Sequence, residues 1–176
     1  MCLQHHIHTQ GCFSRRRFLS AGSGVIAAGL LAGTAQAADH GVTALAVTCI
    51  DYRLADDATR FFDGQKLTND YDQVSLAGAS LAAVSPRFAS SNAAFCDHVG
   101  IAKQLHHIRK LIVVDHRDCG AYKVAFGKDY KADAAGELAQ HKAVMAQVKT
   151  RLAKEHPDLT AEFFLMALDG KAERVL

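Results

Sequence analysis

Short apolar runs rich in β-branched residues alternate with longer amphipathic segments along the chain from Val42 to Leu168. Runs of this kind predict buried strands, and apolar residues that recur every three or four positions predict helices. The predicted strands are 42–48, 73–76, 111–114 and 163–168. The predicted helices are 54–62, a segment from Pro86 or Ser90 to about Ile108, and 134–155. This alternation predicts the α/β class, with a mostly parallel central sheet of about four strands flanked by helices.

The first 37 residues follow a different pattern. Residues 14–20 read Ser-Arg-Arg-Arg-Phe-Leu-Ser, an apolar small-residue stretch runs from Gly22 to Gly33, and Ala35-Gln36-Ala37 follows. This order predicts a twin-arginine export signal at 1–37, cleaved after Ala37, and a periplasmic location. A single domain over 38–176 then remains, without stable membrane anchoring. An uncleaved membrane anchor and a chance basic patch are the alternatives.

Composition and charge narrow the class of protein. The chain has 176 residues, of which 49% are hydrophobic and 22% charged, as in an ordinary globular domain. Its net charge of +2 depends on the three arginines of the export segment, since the rest carries 17 basic against 18 acidic side chains. A near-neutral domain has no electrostatic footprint for nucleic acid, so that class of partner is excluded.

Two short motifs carry candidate chemistry: Cys49-Ile50-Asp51-Tyr52-Arg53 and His116-Arg117-Asp118-Cys119-Gly120. Each directly follows a predicted strand, and ligands gather at the carboxyl ends of parallel strands. If the two strands are neighbours, Cys49, His116 and Cys119 converge. Two thiolates and one imidazole suit zinc and leave its fourth position for water or substrate. A disulfide of Cys49 with Cys119 or Cys96, or ordinary buried core positions, are the alternatives.

The order of the two motifs, Cys-x-Asp-x-Arg and then His-x-x-Cys-Gly, resembles the zinc signature of the β-class carbonic anhydrases. The resemblance implies a β-carbonic-anhydrase-like fold and one zinc per chain, bound by Cys49, His116 and Cys119. It also implies that Asp51 and Arg53 are the catalytic carboxylate–guanidinium pair. The implied reaction is the reversible hydration of carbon dioxide to bicarbonate by a hydroxide formed at the zinc.

The resemblance leaves several points open. The substrate could be another heterocumulene, such as carbon disulfide or carbonyl sulfide, or the protein could bind zinc without catalysis, with Asp51 closing the site. The family forms dimers, so a homodimer or higher homo-oligomer is expected. His106 and His107 are proton-shuttle candidates by chemistry alone, and a solvated helix end is the favoured alternative. Asp118 either orients a ligand or caps the following turn.

Overall fold

The computed structural model describes residues 41–176, and the predicted export signal and its cleavage point lie outside the described residues. The described part contains one five-stranded sheet: β1 (Ala44–Thr48), β2 (Tyr71–Ser75), β3 (Lys110–His116), β4 (Thr160–Met166) and β5 (Ala172–Arg174). The strand order is β2-β1-β3-β4-β5, with parallel pairing throughout except between β4 and β5. The predicted α/β class with a mostly parallel sheet is confirmed.

The strand order reverses direction between β1 and β3. The chain passes from β1 to β2 on one side of β1 and then returns to place β3 on the other side. At such a switch point the two connections leave in opposite directions, and a crevice opens beyond the carboxyl ends of the two central strands. Cys49 follows β1 directly and His116 is the last residue of β3, so both motifs border this crevice.

Five α-helices connect the strands within the described residues: α1 (Ala55–Gly64), α2 (Ser80–Val84), α3 (Ala89–His106), α4 (Gly120–Phe126) and α5 (Ala134–Glu155). Short 3-10 turns at Tyr52–Leu54 and Pro86–Phe88 precede α1 and α3. The bounds of α5 agree with the prediction for 134–155. None of these helices is both long enough and apolar enough to cross a membrane.

The sequence prediction was incomplete at three short elements. Helices α2 and α4 have five and seven residues, which is too short for a helical repeat of apolar positions to be recognised. Strand β5 has three residues and pairs antiparallel with β4 across the turn at Asp169-Gly170. The sheet therefore has five strands rather than about four, and the extra strand lies at its edge.

The core lies on both faces of the sheet. Leu45, Val47 and Val113 point to the face covered by α2, α3 and α5. Ala44, Ala46 and the even-numbered residues Ile112 and Val114 point to the face covered by α1. Because side chains alternate along a strand, Asp115 continues the series of Leu111 and Val113 and points towards the α2, α3 and α5 layer. The ends of β1 and β3 are thus held rigidly between two packed layers.

Candidate metal centre

The structure brings Cys49, His116 and Cys119 together at the carboxyl ends of β1 and β3. Their ligand atoms all lie within 4.8 Å of one another, a spacing that could hold a metal ion. The two sulfur atoms are 3.9 Å apart and both cysteines are free thiols. This separation is far beyond the roughly 2.05 Å of a disulfide bond. The structure therefore contains no Cys49–Cys119 disulfide.

The imidazole of His116 is oriented by its own turn. Its Nδ1 atom donates to the backbone carbonyl of Arg117 at 2.8 Å, which leaves Nε2 as the unprotonated nitrogen. Nε2 is buried and has no hydrogen-bond partner among the described residues. A buried nitrogen lone pair without a donor is costly unless a cation or water satisfies it. The donor set therefore fits a metal of the zinc type, with a buried imidazole lone pair and two sulfurs directed to one point.

The electrostatics of the two thiols favour a thiolate at Cys49. The thiol of Cys119 donates to the Cys49 sulfur, and together with nearby His116 it lowers the pKa of Cys49 to about 4. The same contact and burial raise the pKa of Cys119. For His116, the lowering effect of burial is outweighed by the Cys49 thiolate, so its pKa is raised. In the metal-free protein the cluster thus holds one negative sulfur.

The loop after β2 supports the Cys49 sulfur, a role that sequence reasoning missed. The backbone N–H of Gly78 donates to Cys49 Sγ at 3.3 Å. Gly78 has φ +80°, and a Cβ there would lie 3.1 Å from the Cβ atoms of Ala121 and Leu81. Both the conformation and the close approach require glycine. The small-residue stretch Ala77-Gly78-Ala79 is visible in the sequence, but its contact with Cys49 forms only when the chain folds.

Asp51 and Arg53 form a bidentate pair at the edge of the cluster. Arg53 donates from Nε to Asp51 Oδ1 at 3.0 Å and from Nη2 to Oδ2 at 2.7 Å. The hydrogen bonds from Arg53 lower the pKa of Asp51 to about 2, and Asp51 in turn raises the pKa of Arg53. Asp51 is therefore a carboxylate throughout the physiological range.

Asp118 binds the other side of the Arg53 guanidinium. Its Oδ2 accepts from Nη1 of Arg53 at 3.0 Å, and its backbone carbonyl accepts from Nη2 at 3.1 Å. Asp118 was expected either to orient a metal ligand or to cap the following turn. This arrangement is neither of the two. Asp118 instead fixes Arg53 to the turn between His116 and Cys119.

Glu137 of α5 holds that turn from the protein interior. Its Oε1 accepts the backbone N–H of Asp118 at 2.6 Å, and its Oε2 lies 3.2 Å from Arg117 Nη1. Asp118 has φ +55°, a left-handed conformation that is uncommon outside glycine and persists where the surroundings impose it. This role of Glu137 was hard to recognise in the sequence, because an acidic residue in the first turn of a helix is common for its favourable interaction with the helix dipole alone.

A cavity of about 330 Å³ opens beside the cluster, lined by Cys49, Asp51 and Cys119 together with apolar or small residues: Ile50, Ala77, Phe88, Gly120, Ala121 and Val124. His106 and His107 lie away from it. His106 ends α3, its carbonyl accepts from Val42 before β1, and its ring contacts Asp72 at 2.8 Å. Both histidines therefore lie at the amino-terminal edge of the sheet, opposite the cluster. The alternative of a solvated helix end fits this position better than a role as proton shuttle.

Solved β-carbonic anhydrase structures overlap in part with this chain. The CafA enzyme of Aspergillus fumigatus has a TM-score of 0.45 at 13% identity, covering 77% of this chain and 76% of that chain. The enzyme TvaCA1 of Trichomonas vaginalis has a TM-score of 0.43 at 17% identity, covering 76% and 81%. Structural similarities with TM-scores this low do not support a family assignment, so the assignment depends on sequence similarity.

Sequence similarity places the chain in a family. Uncharacterized proteins of Rickettsia conorii and Rickettsia bellii are each 33% identical to it over 131 residues, covering 74% of this chain and 70% and 80% of theirs. A family model described as "Putative carbonic anhydrase" matches residues 39–153, a span that includes Cys49, His116 and Cys119. The chain therefore belongs to this carbonic anhydrase family.

Proposed function

We propose that the protein catalyses the reversible hydration of carbon dioxide to bicarbonate at a zinc ion held by Cys49, His116 and Cys119. The observation that carries the proposal is the bidentate Asp51–Arg53 pair beside the three ligand atoms. A purely structural zinc site has four protein ligands and needs no such pair. In this protein the fourth potential ligand, Asp51, is hydrogen-bonded to Arg53 instead.

Zinc supplies one chemical function at this site: it lowers the pKa of a bound water towards about 7, so that hydroxide is available at neutral pH. The protein supplies the rest. Asp51, ionised because of Arg53, is an acceptor only. With zinc bound, Asp51 would accept a hydrogen bond from the attacking oxygen and so orient it towards a substrate in the adjoining cavity.

Arg53 acts on Asp51 and not on the substrate. Four hydrogen bonds fix the guanidinium, two to Asp51 and two to the carboxylate and backbone carbonyl of Asp118. A planar guanidinium held on both sides presents its fork in one orientation. Asp51 is therefore held on Arg53, beside the ligand cluster and in the lining of the cavity.

The cavity favours a small uncharged substrate. Ile50, Phe88 and Val124 are among the residues that line it, and such side chains stabilise carbon dioxide better than a charged substrate. The same chemistry suits carbonyl sulfide or carbon disulfide, which are the second candidate substrates. The Asp51–Arg53 pair argues against the non-catalytic alternative, in which Asp51 closes the site.

We also propose a homodimer or larger homo-oligomer. Ile50 and Tyr52, on either side of Asp51, are 64% and 88% exposed. Exposed apolar side chains beside a functional cavity are typical of surfaces that bind another protein. Light scattering of wild type and Tyr52→Ser tests this proposal, and a monomeric wild type would contradict it.

Metal analysis and stopped-flow kinetics test the proposed function together. We expect about one zinc per chain and rapid carbon dioxide hydration in wild type. Asp51→Ala should retain zinc and lose at least about 100-fold in kcat/KM, since it removes the group that orients the nucleophile. Asp56→Ala, the same substitution at an exposed position of α1, is the matched control and should keep full activity.

Three outcomes separate the alternatives. Zinc without turnover on carbon dioxide, carbonyl sulfide or carbon disulfide supports the non-catalytic protein. Turnover of carbonyl sulfide or carbon disulfide, without turnover of carbon dioxide, supports a hydrolase of that sulfur-containing substrate instead. Absence of zinc from protein purified under reducing conditions overturns the metal site itself.

A further inference from the structure

A buried carboxylate lies directly behind the proposed metal site. Asp115, the penultimate residue of β3, is 1% exposed. Its Oδ1 accepts from the backbone N–H of Ser80 at 2.9 Å. Its Oδ2 accepts from Ser80 Oγ at 2.6 Å, from Tyr122 Oη at 2.8 Å and from His141 Nδ1 at 2.7 Å. Burial of a carboxylate is tolerated only with such compensation, and four donors supply it here.

The donors to Asp115 come from three separate helices, and two of these helices adjoin a metal-ligand candidate or its support. Ser80 begins α2, two residues after Gly78, whose N–H donates to the Cys49 sulfur. Tyr122 lies in α4, which begins immediately after Cys119. Asp115 itself is bonded in sequence to His116. One carboxylate therefore joins the three segments that position all three ligands.

Helix α5 adds a second point of support to the same turn. His141 contacts Asp115 on one side of His116, while Glu137, one helical turn earlier, accepts the N–H of Asp118 on the other side. The turn that carries His116 and leads to Cys119 is thus attached to one rigid helix at both ends. Such attachment limits how far the imidazole and the thiols can move relative to one another.

The protonation of the cluster is set by its contacts. Burial, and then the neighbouring Asp115 carboxylate, raise the pKa of Tyr122 well above its ordinary value, so the phenol stays protonated and donates. His141 is fully buried, and its Nε2 has no partner among the described residues. The proton of a neutral imidazole is therefore on Nδ1, where it faces the carboxylate.

We propose that Asp115 is a positioning residue for the metal centre: its carboxylate sets the relative placement of Cys49, His116 and Cys119, and hence metal affinity and coordination geometry. The inference rests on the metal site of the proposed function and not on the reaction catalysed there. Ser80, Asp115, Tyr122 and His141 are all buried, and none of them lines the cavity of about 330 Å³ beside the ligand cluster.

Cobalt(II) binding to the purified full-length chain, with a thiol reductant present, tests the inference without recourse to activity. Asp115→Asn keeps the shape of the side chain, but whichever way the amide is turned, its NH₂ group faces another donor. We expect cobalt affinity to fall about tenfold or more, the usual range for groups that orient metal ligands. We also expect the thiolate-to-cobalt and d–d absorption bands to shift, because the ligand geometry changes.

A second variant and a control keep the test decisive. Tyr122→Phe removes one hydrogen bond to Asp115 without changing the shape of the core, and should cause a smaller fall in affinity in the same direction. Val99→Ala destabilises α3, which contributes no donor to the cluster. It should lower the melting temperature and leave cobalt affinity and spectrum as in wild type.

The inference is overturned if Asp115→Asn and Tyr122→Phe bind cobalt with wild-type affinity and spectrum, whatever their melting temperatures. It is also overturned if Val99→Ala weakens cobalt binding as much as they do. If Asp115→Asn does not fold, Tyr122→Phe decides alone. A wild-type protein that binds no cobalt overturns the metal site and this inference together, whereas normal wild-type binding with unchanged variants overturns this inference only.

Discussion

Asp51 Oδ2 lies 3.7 Å from His116 Nε2 while both oxygens of Asp51 are bound to Arg53. The carboxylate thus lies next to the nitrogen proposed to bind the metal, but it is held by another partner. A short movement of Asp51 would place it among the metal ligands, and the Arg53 guanidinium opposes that movement. The Asp51–Arg53 contact is therefore the element of the site on which an open fourth position depends.

The Asp51–Arg53 pair predicts a pH dependence of stability. The pKa of Asp51 falls from 3.8 to about 2 on folding. The pair therefore contributes stability above about pH 4, and this contribution is lost as pH falls towards 2. The shift corresponds to at most about 2 kcal/mol.

Urea unfolding of metal-free wild type and Asp51→Asn, followed across pH 2–7 under reducing conditions, measures this contribution. The difference in free energy of unfolding should be constant above pH 5 and should fall to a small remainder by pH 2. A difference that grows as pH falls would contradict the assignment of the ion pair.

Gly78 predicts a contrast between two glycine substitutions. Gly78→Ala introduces a Cβ at φ +80° and 3.1 Å from Ala121 and Leu81, so it should destabilise the protein by about 1–3 kcal/mol. The same change should weaken metal binding, because it disturbs the N–H that contacts Cys49. Gly100→Ala lies in the exposed interior of α3 with open space around it, and should stabilise by up to about 1 kcal/mol. Thermal unfolding and zinc competition with a chelator measure both effects.

The two acidic partners of Arg117 predict unequal costs. Glu137→Ala leaves the partly buried N–H of Asp118 without its acceptor and should cost about 1–3 kcal/mol. Glu173→Ala removes an exposed partner 3.1 Å from Arg117 and should cost less than about 1 kcal/mol. Equal losses in denaturant unfolding would show that the Glu137 contact with the turn contributes little.

We propose export through the twin-arginine route on the basis of residues 14–37. Replacement of Arg15, Arg16 and Arg17 by lysine keeps the charge and should retain the protein in the cytoplasm as the uncut precursor. Cell fractionation and the mass of the mature amino terminus measure the outcome. A wild-type chain confined to the cytoplasm, or cut at a site other than after Ala37, would contradict this prediction.

The sequence by itself determined the α/β class, the four longer strands, the helix Ala134–Glu155 and the two motifs at strand ends. These features depend on local periodicity and on residues that adjoin one another along the chain. Helices α2 and α4 were missed because five and seven residues make two helical turns or fewer, too few for a 3.6-residue repeat to be recognised. Strand β5 was missed because three residues cannot show an alternation, and the conformation of all three elements comes from the packing around them.

Only the tertiary structure decided which side chains support the two motifs. Gly78 and Glu137 contact the ligand segments from 29 and 19 residues away in sequence, and nothing in their own neighbourhoods distinguishes them from other loop and helix residues. Asp115 adjoins His116 in sequence, but its partner Ser80 lies 35 residues away. Their contacts arise because β1 and β3 become neighbours at the switch point of the sheet and α5 packs behind them. The ligand types could thus be read from the chain, while the hydrogen bonds that hold them in place are a property of the folded sheet.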